Sequence, residues 1–223
     1  MGEVISSGAN VDDIAEDVGD AYQNGMARGG EIAEACKDRL APSVQAIENA
    51  KTLYEATRKA ASAAWVIVLA MDNDADNAIG SVRDEMWNAL GRPRQSPHMD
   101  EVYPGGTKTY TAGDPQGQPL RMAILRARIL SASAPQWPEQ KRAAWADTIE
   151  AARVPYASAV DAYRPTEAAE TVAEAGYRSA VRAAHARLVS FKRDLKSLGL
   201  TEAQIHEIIP DASAKRRKKA GGE

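Results

Sequence analysis

The stretch Asp72-Asn-Asp-Ala-Asp-Asn-Ala-Ile79 comes nearest to chemistry in residue type and spacing. A calcium-binding helix-loop-helix loop takes oxygen ligands at its positions 1, 3 and 5 and an aliphatic residue at position 8. Asp72, Asp74, Asp76 and Ile79 stand at those places. The pattern then fails twice. Position 6 should be glycine and is Asn77; position 12 should be a bidentate glutamate and is Arg83. A helix start fits these residues better. Asn73 would cap, and Asp74 and Asp76 would sit where the helix dipole favours negative charge. No metal and no cofactor are therefore expected, with Asp72, Asp74 and Asp76 as the weak metal candidate.

Other constellations fall short sooner. Gly105-Gly106-Thr107-Lys108-Thr109 has phosphate-loop composition, but Thr107 separates glycine from lysine and Pro115 blocks the helix that should follow. A Pro104-Gly105-Gly106 turn accounts for it. A di-metal carboxylate bundle needs Glu three residues before His. The residues before His98, His185 and His206 are Gln95, Arg182 and Ala203. Cys36 is the single cysteine, which excludes an internal disulfide and fits a reducing compartment. Nothing pairs it with a base.

Two segments carry residues suited to recognition. Tyr103, Lys108, Tyr110 and Asp114 form either a binding surface or a set of pins holding their loop to the body. Lys215, Arg216, Arg217, Lys218 and Lys219 make a basic patch of the kind that contacts polyanions weakly and with salt sensitivity. Net charge is −3, so the rest of the chain carries −8 once those five are set aside. Such a body gives no electrostatic reason to bind nucleic acid.

Helices must position all of these groups. Alanine dominates the apolar residues, and Phe191 is the only phenylalanine. Alanine is the best helix former and brings helices close together. Val11, Ile14, Val18, Tyr22, Gly25, Gly29, Ile32, Cys36 and Leu40 recur in steps of three or four. Gly25 and Gly29 on that stripe imply either close approach of a neighbour or a break at Gly29-Gly30. Pro42 opens a helix with Val44, Ile47, Tyr54, Ala61, Trp65 and Val68 on one face. Its end, Ala60–Met71, is apolar all round, which predicts burial on several sides. Twelve residues are too few to span a bilayer.

An interruption at Asp72–Asp74 and a third helix to Leu90 follow from the polar run. Residues 92–119 hold five prolines and four glycines, so no helix is expected there and Thr107–Thr111 suits a short strand. A helix over 120–131 comes next, then one from about Pro138 bearing Trp145, Ile149, Ala152, Tyr156, Val160 and Tyr163. Pro155 should kink it and Pro165 restart it. Val181, Ala184, Leu188, Phe191, Leu195 and Leu198 form the cleanest heptad. Thr201-Glu-Ala-Gln204 is a capping box for a last short helix.

The resulting expectation is an all-α fold, an antiparallel multi-helix bundle of long amphipathic helices with one irregular Pro/Gly-rich loop. Residues 1–10 form a flexible N-terminus, 11–211 the bundle domain, and 212–223 a disordered basic tail. Helical hairpins 11–91 and 120–199 are joined by loop 92–119. Met1–Asn10 has no secretory pattern, and a soluble, cytoplasmic protein is expected. The expected function is non-enzymatic: a structural or interaction protein, of coiled-coil character, that forms homo-oligomers through helix faces and makes no membrane contact. The alternative is a ligand- or polyanion-binding module using loop 92–119 or the tail.

Overall fold

A seam of apolar residues explains each of the two longest helices. Along α3 (Ala41–Ala89), the side chains turned inward are Ala61, Trp65, Val68, Asp72, Ala75, Ile79, Val82 and Met86. The steps alternate four and three, the spacing of one continuous helix face. The seam runs through Asp72 unbroken. This corrects the expected interruption at Asp72–Asp74 and the helix start there. An Asp costs at most about 0.7 kcal/mol of helix propensity, less than one buried Val or Ile contributes.

The same logic carries α7 (Glu139–Ser197) through two prolines. Pro155 and Pro165 lie within it, and both are exposed. Each removes a backbone hydrogen bond, at about 3 kcal/mol. The inward residues Ala152, Tyr156 and Val160 bracket the first, and Tyr163 and Thr166 bracket the second. The Thr166 hydroxyl donates to the Tyr163 carbonyl at 2.6 Å. The expected restart at Pro165 is thus corrected: the proline rings face outward and the inward spacing holds.

The structure, a computed structural model, describes residues 4–209. Among them are eight α-helices and a 3-10 turn, and no strand. The chain is all-α, and none of these helices is long and apolar enough to cross a membrane.

The chain packs as two units that cut across the expected hairpins 11–91 and 120–199. The end unit gathers residues 4–57 and 169–209, and the middle unit Arg58–Ala168. Both α3 and α7 contribute to each.

In the end unit, α1 (Val11–Arg28), α2 (Gly30–Arg39) and α8 (Glu202–Ile208) join the outer parts of α3 and α7. Their core includes Ile14, Val18, Cys36, Leu40, Val181, Leu188, Phe191 and Leu195. Of the two readings of the glycine stripe, each holds at one place. Gly25 allows close approach: a Cβ there would lie 2.8 Å from the Cys36 sulfur and 3.3 Å from Phe191. Gly29 and Gly30 break the helix, with φ of 69° and 57° in the left-handed region. The capping box at Thr201 forms in both directions with Gln204.

In the middle unit, α6 (Gln118–Ser131) lays Met122, Leu125 and Ile129 on the inner parts of α3 and α7. Segment 92–119 is not free of helix, which corrects that expectation. Ser96 caps α4 (Pro97–Val102), and Asp114 caps the 3-10 turn Pro115–Gly117. Both prolines stand in the first turn, where the missing N–H would have no helical partner. Pro97 and Pro115 start elements rather than end them. The expected strand at Thr107–Thr111 is corrected too: α5 (Lys108–Thr111) is a helical turn that buries Tyr110, and no strand lies beside it among the described residues.

Candidate interaction surfaces

The three aspartates separate by face. Asp72 and Asp76 are one helical turn apart on the same side of α3, while Asp74 is exposed on another side. A calcium loop has to wrap its ion, and a continuous helix cannot. Asp72 and Asp76 instead anchor the segment that precedes α6. The Tyr156 hydroxyl lies 2.6 Å from Asp72 Oδ1 and 2.8 Å from the Pro115 carbonyl. Gln118 Nε2 donates to Asp76 Oδ1 at 2.6 Å.

Gln118 is wholly buried, and its Oε1 has no partner. Burial raises the Asp76 carboxyl above its ordinary range, against the Gln118 hydrogen bond; the charge of Asp72 adds to the rise. Burial and then Asp72 raise the Tyr156 phenol. The cluster clamps the 3-10 turn and the start of α6 onto α3 and α7. Among the described residues, no three His, Cys, Asp or Glu side chains are grouped to hold a metal ion.

The loop candidates do not form one surface. Tyr103 and Tyr110 are buried, with rings edge to face at 5.7 Å. The Tyr110 hydroxyl donates to the Val102 carbonyl at 2.6 Å, and that of Tyr103 reaches the Ile79 carbonyl at 3.5 Å. They pin the loop to the core. Lys108 and Asp114 are exposed, and Asp114 Oδ1 accepts from the Gln116 amide at 3.1 Å. Lys215, Arg216, Arg217, Lys218 and Lys219 lie outside the described residues.

Two apolar faces stand open in the middle unit. Ala60–Met71 is not buried on several sides, which corrects that expectation. Val66 is 63% exposed, Ile67 56% and Leu69 43%, with Ala63 and Ala70 exposed beside them. The seam already occupies Ala61, Trp65 and Val68, so the remaining apolar residues of an all-apolar helix segment must point outward. That is the signal the sequence offered for this face. The second lies on α6, where Leu120, Ile124, Ala127 and Leu130 are exposed opposite its buried stripe. Isolated exposed apolar residues are ordinary; rows of them are not.

A polar groove of about 550 Å³ lies where α3 meets α4. Arg83, Trp87, Pro93, Arg94, Asp100 and Tyr103 are among its lining residues. The Arg83 and Arg92 guanidinium carbons each stand 5.7 Å from the Trp87 ring centroid. The Trp87 indole N–H donates to the Pro93 carbonyl at 3.0 Å, fixing the ring. From the sequence, Trp87 has two readings, core packing or a helix-face interface. The spacing of Arg83 and Trp87, one turn apart, carried the missed signal.

No protein-family model, curated protein or solved structure matches this chain.

Proposed function

We propose that this chain is a non-enzymatic structural or interaction protein that self-associates through helix faces. The observation that supports it most is the outer face of α3, where Val66, Ile67 and Leu69 stay exposed within a run of twelve uncharged residues, Ala60–Met71. Covering what each of the three still exposes would contribute roughly 1 kcal/mol apiece. An antiparallel bundle of coiled-coil character belongs to this reading. Trp65 meets Tyr163 with ring centroids 5.0 Å apart, Tyr156 meets Asp72, and Trp145 donates to Glu85 at 2.8 Å. As one number rises the other falls. Size exclusion with light scattering is expected to give at least twice the chain mass for the wild type and the chain mass for Ile67→Asp. A strict monomer at about 1 mM, where about 4 kcal/mol of association free energy becomes visible, overturns the reading.

The groove at Trp87 favours a second reading, in which segment 92–119 helps to hold a small organic anion. Arginines beside an indole suit a flat ligand that bears a sulfonate, carboxylate or phosphate. Quenching of tryptophan fluorescence by a naphthalene sulfonate is expected to weaken about tenfold in Arg94→Gln, a loss of about 1.4 kcal/mol. Quenching unchanged by that substitution and by salt counts against it.

A further inference from the structure

The exposed face of α3 reads the same in both directions, except that its end charges are opposite. Val66 and Ile67 stand at its centre, Ala63 and Ala70 flank them, and Lys59 and Asp74 close the two ends. All six are exposed. The steps 59, 63, 66/67, 70 and 74 keep them on one side of the helix. The ends are about 22 Å apart at 1.5 Å of rise per residue.

We propose that this face pairs with the same face of a second copy, antiparallel and about a twofold axis that passes between Val66 and Ile67. The inference rests on the self-association reading and gives it a geometry. In this arrangement Lys59 of one copy meets Asp74 of the other, Ala63 meets Ala70, and Val66 meets Ile67, each twice. One patch serves both copies, as an isologous interface requires. Parallel pairing would set Lys59 against Lys59 and Asp74 against Asp74. The alanines let the two helices approach to about 8 Å. The spacing 59, 63, 66, 70 alternates four and three, so the contact follows a left-handed seam. Apolar burial supplies the affinity. The exposed charge pairs contribute little to it and set the direction.

Charge exchange and cross-linking test the arrangement in the full chain. Lys59→Asp and Asp74→Lys are each expected to weaken the dimer about tenfold at low salt, because each turns two attractive pairs repulsive. Together they are expected to restore wild-type affinity. The combined variant Ala63→Cys/Ala70→Cys is expected to form a disulfide-linked dimer on mild oxidation, and Ala63→Cys alone is not. Opposed positions fall within the roughly 7 Å Cα separation that a disulfide needs, and two copies of residue 63 do not. Cys36 is buried and does not compete. A wild-type monomer overturns the self-association reading and this geometry with it. A wild-type dimer in which Ala63→Cys alone cross-links, or in which the double charge exchange is as weak as either single, overturns this geometry alone.

Discussion

The end unit and the middle unit treat charge and apolar surface in opposite ways. Residues 4–57 and 169–209 hold ten Lys or Arg against fifteen Asp or Glu, a net of −5. Residues 58–168 hold thirteen of each and are neutral. The large exposed apolar residues of the end unit, Met26, Leu53, Val172 and Leu198, are spread over three helices and the turn after α7. Those of the middle unit fall in rows on α3 and α6, with Val154 apart from them on α7. Net charge keeps chains apart, and a neutral surface with apolar rows lets them meet. On the self-association proposed above, the middle unit is the one suited to association.

The largest effect that would sharpen this contrast comes from the end-unit core. Phe191→Ala is expected to cost about 3–5 kcal/mol, read by urea unfolding, because the ring fills the space above Gly25. A loss below about 1 kcal/mol would mean that this core is loosely packed. Next in size is Tyr156→Phe in the middle unit. It removes the hydroxyl shared by Asp72 and the Pro115 carbonyl, and about 1–3 kcal/mol is expected. The proposed self-association should be unaffected in this variant while it remains folded, since Tyr156 faces inward and Ile67 outward.

The smallest effect is a pH dependence. Asp76 has a raised carboxyl in the folded chain, so the folded state holds that proton more tightly than the unfolded one. Its contribution is therefore full below the unfolded value of about 4 and is lost as pH rises through the raised folded value. Asp76→Asn is expected to stabilise the fold slightly at neutral pH and not in acid, read by urea unfolding at the two pH values. An equal change at both pH values would place the cost of Asp76 in its packing rather than its charge.

Repetition in the sequence was legible, and single partners were not. The seams of α3 and α7, the Gly25 approach and the Thr201 box follow from spacing alone. The long helices were misread where polarity or proline was weighed locally. Asp72 looks like a break until the seam is counted through it, and Pro165 looks like a stop until its outward position is known. Segment 92–119 was misread because proline density was taken as breaking structure, when Pro97 and Pro115 sit at first-turn positions. The clamp at Asp72 was out of reach, since its hydroxyl comes from Tyr156, 84 residues away. The open face of α3 was within reach, had the inner seam been subtracted from the apolar run.

The lone sulfhydryl has a further use. Cys36 is fully covered between α1 and α2, its Sγ contacts the Tyr22 carbonyl at 3.3 Å, and burial pushes its pKa up to about 11. A thiol both hidden and protonated reacts with alkylating agents only when its surroundings come apart. The rate at which it is labelled is a built-in clock for transient opening of this helical corner, readable without adding any reporter.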